Sequence, residues 1–493
     1  MKGIKEDRTA EELFNQITFF LNGERISAAI APGLSTLDWL HKQQHLHGTK
    51  CSCNEGDCGA CTVVLAYPQV DSIVYEAINS CLYPAAKLHG RHLLTIEALG
   101  DTQNLHPIQS ALLAHHGTQC GYCTPGFVMS MFALFATHDH PDKETILAAL
   151  EGNLCRCTGY QSILDAALEI SQNWTSQQLV PPWCRELEEQ LFSFKEAALL
   201  HNADKSKPRL VNRYLMPENL KSLFDFLAVE QGAVLIAGGT DLMVQMNITR
   251  KEFPVLIDIT RIPELSKLYM QTDGLHIGAA ITYSQLLESD SVKSAYPVMH
   301  KLISQIASQQ IRNFGTLAGN IANASPVGDS IPLLLALDAV LRLQTELELR
   351  HLPLREFFTA YRKTALQKEE IIREVIVPSL PPGIYLNCLK SAKRKSVDIS
   401  AVVTAIRIEL EAGKICHAVF ALGGVAATPV ISQSFARLVE GKKIAELDRA
   451  GICQSVAAEF TPLSDVRGSA EYRQTLITNH LSIYLQELLE LQS

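Results

Sequence analysis

The chain has 493 residues, 47% hydrophobic and 19% charged, enough for about three or four ordinary cores at roughly 100–200 residues each. Its 43 basic and 52 acidic residues give a net charge of −9, and no basic run offers a phosphate track, which argues against a nucleic-acid partner. No apolar run approaches the ~20 residues that span a bilayer, and Met1–Glu12 is charged without an apolar core, unlike a secretory signal. The expected compartment is the cytoplasm, where clustered thiols bind metal more often than they pair as disulfides.

The first elements are short. Ile17–Leu21, Asn22-Gly23 and Glu24–Ser27 read as a hairpin on a type I′ turn. A helix over Thr36–Gln43, a loop over Gly48–Cys61 and a strand over Thr62–Tyr67 follow. The loop reads Cys53-Asn-Glu-Gly-Asp-Cys58-Gly-Ala-Cys61, with Cys81 further on as the fourth thiol. That C-x4-C-x2-C pattern is the plant-type 2Fe–2S spacing. Three sulfurs must converge from one loop, so curvature is needed, and Gly56 and Gly59 supply it. Zinc is the alternative, but zinc knuckles favour two-residue gaps in both halves. Cys51, two residues before Cys53, reads as a bystander. The segment resembles the β-grasp fold of plant-type ferredoxins.

Residues 105–172 read as helical. Pro107 and Pro125 suit first-turn positions. Phe127–Phe135 is strongly apolar, Glu144–Leu150 is amphipathic, and Ser162–Ile170 repeats at helical spacing. Between these stretches fall Cys120-Gly-Tyr-Cys123 and Cys155-Arg-Cys157, both at expected helix ends. Helix N-termini there favour an anionic thiolate cluster. The C-x-C pair is too tight for a relaxed disulfide, yet both thiols can ligate one metal centre, which predicts a second 2Fe–2S cluster. Cys184, Cys388, Cys416 and Cys453 are isolated and default to buried thiols. The strings Gly117-Thr-Gln-Cys-Gly-Tyr-Cys-Thr-Pro-Gly-Phe and Gly152-Asn-Leu-Cys-Arg-Cys-Thr-Gly-Tyr resemble the helical iron–sulfur domain of the xanthine dehydrogenase/molybdenum hydroxylase family.

Pro181-Pro182 and the polar run His201–Lys207 mark a linker. Beyond it, Ala233-Val-Leu-Ile-Ala-Gly238-Gly239-Thr240-Asp241 is an apolar strand entering a Gly-Gly turn. Such a turn can nest a pyrophosphate, with a tight strand connection as the plain alternative. It is not a G-x-G-x-x-G fingerprint. A second glycine segment, Gly315-Thr316-Leu-Ala-Gly319-Asn320, leads on to Asp329. Together the two segments resemble the family's FAD domain. The resemblance implies that Leu235, Ile236, Ala237, Gly238, Gly239, Thr240, Asp241 and Leu242 line the pyrophosphate. It adds Thr316, Leu317, Ala318, Gly319, Asn320, Asp329 and Ile372 to the dinucleotide site. Lys390 falls where the family places a lysine near the flavin. Ile306 stands where the animal enzymes carry an aromatic residue.

Phe357-Phe358-Thr-Ala-Tyr361-Arg362-Lys363-Thr364 resembles the xanthine dehydrogenase branch, where this tyrosine lies near the nicotinamide site; its plain reading is a helix end with an exposed basic pair. Lys390–Asp398 resembles a mobile loop by the flavin, although Val397 replaces one of two consecutive acids. Leu422-Gly423-Gly424-Val425-Ala426-Ala427-Thr428-Pro429 resembles the C-terminal domain of the CO-dehydrogenase flavoproteins.

The expected fold is α+β and multidomain. It comprises a β-grasp 2Fe–2S domain (14–98), a four-helix 2Fe–2S domain (99–175), a linker (176–208), an α/β FAD-binding domain of the PCMH type (209–382) and a C-terminal α/β flavoprotein domain (383–493). The family's molybdenum–pterin region would need several hundred more residues, so it is expected on a separate large subunit, in a dimer of heterodimers. The implied reaction is purine hydroxylation on that partner, with electrons passing through two 2Fe–2S clusters to FAD and then NAD. An aldehyde, carbon monoxide or nicotinate hydroxylase, a zinc-binding scaffold and a stand-alone diaphorase are the rival expectations.

Overall fold

The computed structural model describes residues 16–69, 72–194, 199–201 and 211–491. Met1–Glu12 and residues 202–207 of the expected linker lie outside the described residues. Two compact units emerge, the first from Met1–Glu218, Val229–Arg261 and Ser308–Phe314. Among the described residues no helix is long and apolar enough to cross a membrane.

The first unit begins with a five-stranded sheet in the order Glu24–Ala29, Gln16–Leu21, His92–Leu94, Thr62–Gln69, Ser72–Asn79. Its opening turn holds Asn22 at φ 50° and Gly23 at φ 93°, the two positive values a type I′ hairpin requires. Helix Thr36–Lys42 starts on Ser35, whose side chain accepts from Asp38 N–H, and buries Trp39 edge-on against Phe19. This is the expected β-grasp.

Four helices follow: Pro107–Ala114, Thr124–Thr137, Lys143–Leu150 and Gln161–Asn173. Both predicted first-turn prolines are in place. Thr124–Thr137 is apolar on every side because it is covered on every side. Its Phe127, Met131, Phe132 and Phe135 share one core with Val64 and Tyr75 of the β-grasp sheet.

The expected linker is not a bare tether in its first part. Short helix Ser176–Leu179 packs against Thr124–Thr137, and Pro182–Glu186 and Glu188–Phe192 lie along the β-grasp. Leu187 and Leu191 cluster with Phe20, and the Trp183 ring stands edge-on to His92, centroids 5.6 Å apart. The apolar side chains win over the polar punctuation that suggested a linker.

Part of the expected FAD-binding segment groups by compactness with the first unit. A four-stranded sheet, Leu199–His201, Arg213–Leu215, Val255–Asp258 and Ala233–Ile236, belongs to the first unit. Tyr214, Ile236, Met243 and Leu256 are buried in one cluster with Phe19 and Val63.

The second unit comprises Asn219–Ala228, Ile262–Ala307 and Gly315–Ser493. One antiparallel sheet runs Leu268–Gln271, Gly274–Gly278, Ile371–Pro378, Val340–Gln344, Leu349–Pro353. Another runs Tyr385–Ser391, Val402–Glu411, Lys414–Gly423, Val430–Ile431. Helices Gln433–Val439, Arg449–Ala457 and Ala470–Glu490 cover it, with Phe420, Phe435, Ile477 and Tyr484 at the centre.

Each unit buries a neutral histidine. Burial lowers His92 and His480 from 6.5 to about 4. Gly23 N–H donates to His92 Nε2 (3.1 Å), and His480 lies between the hydroxyls of Ser391 (2.8 Å) and Thr404 (3.0 Å). Unfolding frees both rings to take a proton between about pH 4 and 6.5. Stability present above pH 6.5 is therefore lost as the pH falls toward 4, by on the order of 3 kcal/mol per ring. Melts across this range should show a falling Tm, and His480→Gln should flatten part of the slope. An unchanged slope in the variant counts against this account.

Candidate iron–sulfur and flavin sites

The first thiol loop is shaped by its glycines. Gly56 and Gly59 sit at φ +91° and +65°, and a Cβ on Gly59 would lie 2.4 Å from the Gly152 carbonyl. Asn79 Nδ2 holds the Gly56 carbonyl (3.0 Å). The sulfurs meet in pairs. Cys61 and Cys81, both buried, have Sγ atoms 3.3 Å apart. Cys53 and Cys58, half-buried, share a hydrogen bond that pulls Cys53 down to about 5 against its burial, with help from the Glu55, Asp57 and Cys58 N–H groups. The same bond pushes Cys58 up. Bonding between Cys61 and Cys81 lowers the first and raises the second. Each pair thus favours one thiolate. Cys51 is exposed, its thiol is pushed up by burial of its stem, and its carbonyl accepts from the Tyr122 hydroxyl.

The second set assembles at helix ends, as its spacing predicted. Cys123 is the residue before helix Thr124–Thr137, and Cys155 and Cys157 lie on the loop before Gln161–Asn173. Sγ separations are 3.7 Å for Cys120–Cys157 and 3.8 Å for Cys155–Cys157, and Cys123 hydrogen-bonds Cys155. Burial and that bond push Cys123 up to about 12. Burial opposes ionisation of Cys155, but the Thr158 hydroxyl and N–H bring it to about 7. Cys120 and Cys157 are exposed, so this set lies at the surface while half of the first set is interior. Among the described residues, no three of His, Cys, Asp or Glu converge as ligands of a single ion.

Backbone joins the two loops directly. Leu154 N–H donates to the Cys58 carbonyl at 2.9 Å. Asn153 Nδ2 donates to the Gly59 carbonyl (3.0 Å), and its Oδ1 accepts from Ser130 Oγ (2.7 Å) and Gln310 Nε2 (3.0 Å). Sequence spacing gave no sign of Asn153 or Gln310, since their partners are more than 90 positions away or buried in another element.

In the first unit, strand Ala233–Ile236 enters the turn Ala237-Gly238-Gly239, and helix Thr240–Thr249 starts on Gly239 at φ +84°. Leu235 and Leu242 are half-buried, Ile236 is core, and Asp241 sits in the first helical turn, accepting from the Gln245 amide. Lys87 reaches the Ala237 carbonyl at 2.6 Å, a contact that sequence reasoning missed.

In the second unit, Thr316 caps helix Leu317–Asn323, its hydroxyl accepting from Gly319 N–H at 3.0 Å. Leu317 and Ala318 are buried, while Asn320 Oδ1 accepts from Ser330 Oγ at 2.9 Å. Lys390, 5% exposed, lies 2.7 Å from Asp329 and donates to the Gln305 carbonyl (2.8 Å), next to half-buried Ile306. Ser400 Oγ donates to the other Asp329 oxygen. Ile372 is buried in strand Ile371–Pro378. The plain reading of 357–364 as a helix end is corrected: Phe358–Ala360 pairs with Lys363–Thr364, and Tyr361 stands 60% exposed on the hairpin turn. Residues Lys393 and Arg394 of the expected loop are tied to the Val466 carbonyl and to Asp398.

Four family profiles match in chain order. They are a 2Fe-2S iron-sulfur cluster binding domain (residues 19–85), a [2Fe-2S] binding domain (95–168), an FAD binding domain in molybdopterin dehydrogenase (208–380) and a CO dehydrogenase flavoprotein C-terminal domain (387–488). The chain belongs to the molybdenum hydroxylase family. Among curated molybdenum hydroxylases, a xanthine dehydrogenase of Oryza sativa subsp. japonica is 33% identical over 509 residues, covering 89% of this chain. Aldehyde oxidase 2 of Macaca fascicularis is 30% identical over 532 residues, covering 97% of it. This chain spans only 37% and 39% of those relatives' lengths. A solved structure, carbon monoxide dehydrogenase from Hydrogenophaga pseudoflava lacking the Mo-pyranopterin moiety, superposes with TM-score 0.53 at 27% identity, covering 55% of this chain and 95% of that one.

Proposed function

We propose that this chain is the electron-carrying subunit of a xanthine dehydrogenase, working beside a large molybdenum–pterin subunit and passing electrons to NAD. When bound, two 2Fe–2S clusters accept electrons singly, and FAD collects them in pairs for a hydride acceptor. The observation that carries the reading is the first set, where Cys53 meets Cys58 and Cys61 meets Cys81, beside a second set whose four sulfurs follow one another in contact, Cys120–Cys157–Cys155–Cys123. A 2Fe–2S cluster takes two sulfurs at each iron, whereas zinc gathers four around one point. Cys53/Cys58 and Cys61/Cys81 would hold the first cluster, and Cys120, Cys123, Cys155 and Cys157 the second.

The chain's own residues set the order. The exposed second set suits electron entry from a partner, and the Leu154–Cys58 hydrogen bond links it to the first. Helix Thr240–Thr249, which starts at the Gly-Gly turn, ends beside the first set, where Asn247 Nδ2 donates to the carbonyls of Asn54 (3.1 Å) and Cys81 (2.9 Å). Lys390 and Asp329 would sit at the flavin, and Tyr361, exposed on its hairpin, would lie near the nicotinamide.

Xanthine is favoured over aldehydes by the rice relative's 33% identity and by the 357–364 segment, but the macaque aldehyde oxidase, at 30%, supports the second reading. Steady-state turnover of the native complex decides: xanthine with NAD should be used, and turnover of aldehydes alone would reject the choice. Lys390→Met strands Asp329 without its cation, a loss of about 3–5 kcal/mol for a buried pair. The variant should lose flavin several-fold, read by chromatography of the released cofactor, while visible absorbance from iron–sulfur persists. Full flavin content would remove Lys390 from the site.

A further inference from the structure

Lys87 belongs to the β-grasp by sequence, six residues after Cys81, yet its ammonium is buried (5% exposed) and ends against the turn Ala237-Gly238-Gly239. Its Nζ lies 2.6 Å from the Ala237 carbonyl and 3.8 Å from Asp258 Oδ2, with the Tyr83 ring beneath it at 5.7 Å. Asp258 is itself fully engaged. Tyr214 OH donates to Oδ2 (2.9 Å), and Thr260 N–H and Oγ donate to Oδ1 (2.9 and 2.7 Å). A lysine is dehydrated at such a position only at a cost, so the carbonyl and the carboxylate must both hold it.

We propose that Lys87 is a positioning residue for the diphosphate of the bound flavin dinucleotide, and this rests on the reading of the Gly-Gly turn as its pyrophosphate site. The peptide between Ala237 and Gly238 is planar and trans. Pinning its carbonyl on Lys87 turns the Gly238 N–H to the opposite side of that peptide, away from Lys87. The ammonium also polarises that peptide, which makes the N–H a stronger donor to an anion. Lys87 never touches the cofactor; it acts through one backbone group. The β-grasp domain thereby supplies part of the flavin's hold, alongside its thiols.

The test uses the full chain with its iron retained and its flavin removed, titrated by fluorescence and calorimetry with FAD, ADP and riboflavin. Lys87→Met should weaken FAD and ADP by about tenfold or more, the worth of one charge-assisted hydrogen bond. Riboflavin, which carries no phosphate, should bind the variant as it binds the parent. Unchanged FAD and ADP affinity, or an equal loss for riboflavin, overturns the proposal. Should Lys87→Met lose iron, Lys87→Gln, which keeps a donor without the charge, is expected to show a smaller loss of the same sign. Iron loss in both variants assigns Lys87 to folding and also overturns it. A parent chain that binds neither FAD nor ADP sinks the flavin reading before any substitution is made.

Discussion

Under the proposed function, Cys81→Ser should abolish electron delivery to NAD while leaving the second thiol set loaded. Cys81 is 1% exposed, its sulfur lies 3.3 Å from that of Cys61, and its carbonyl is held by Asn247. Serine offers a short, far less acidic hydroxyl, so it cannot stand in for a sulfur ligand between fixed neighbours. Iron should fall by about half, the share of one of two equal clusters. Xanthine-dependent NADH formation should drop to background. Reduction of a one-electron dye that docks at the exposed second set should survive. Cys51→Ser is the control, because Cys51 is exposed and lies outside both pairs; it should keep full iron and turnover. Full turnover in Cys81→Ser would end the assignment of the first set.

The second large effect is expected at Asn153. Its amide makes four buried hydrogen bonds, to Gly59 O, Thr62 Oγ1, Ser130 Oγ and Gln310 Nε2. Alanine would remove all four, leaving Gly59 O to the N–H and hydroxyl of Thr62 and Gln310 Nε2 to Ser130 Oγ. Each lost bond is worth about 0.5–1.5 kcal/mol net, so the four together should cost about 2–4 kcal/mol. Urea unfolding followed by the visible absorbance should show the loss as a lower midpoint. The Leu154–Cys58 link is the next bond along the chain, so transfer between the two sets should slow in the same variant. A cost below about 1 kcal/mol would show that water or repacking replaces the network.

The local elements were readable because local chemistry sets them. Asn22-Gly23 demands a type I′ turn, Pro107 and Pro125 demand first turns, and the cysteine spacings demand loops that close on small centres. Within each set neighbouring sulfurs lie close, Cys61 and Cys81 at 3.3 Å and Cys120 and Cys157 at 3.7 Å. The contacts that bind the pieces were not readable. Lys87 meets a carbonyl 150 positions on, and Asn313 donates to Ala77 O across 236 positions. No pattern within a window of a dozen residues encodes such pairs. The packing of the expected linker was hidden for a related reason: Pro181-Pro182 reads as punctuation, whereas the contacts of Trp183, Leu187 and Leu191 with the β-grasp are long-range. At 357–364 the basic pair suggested a helix end, but buried Phe357 and the pairing of Phe358 with Thr364 impose a hairpin.

The short stretch Ser308–Phe314 lies far along the chain yet is built into the iron–sulfur unit, with Gln310 on Asn153, Arg312 on Glu151 and Phe314 against Tyr83. Severing the polypeptide near residue 208 would therefore not release a self-sufficient amino-terminal module. The fragment would carry a greasy scar where Tyr214, Met243, Leu256 and Phe314 had been, and it would tend to clump unless the remainder were co-expressed to heal it. Anyone transplanting this cluster pair into another redox scaffold must carry that distant heptapeptide along.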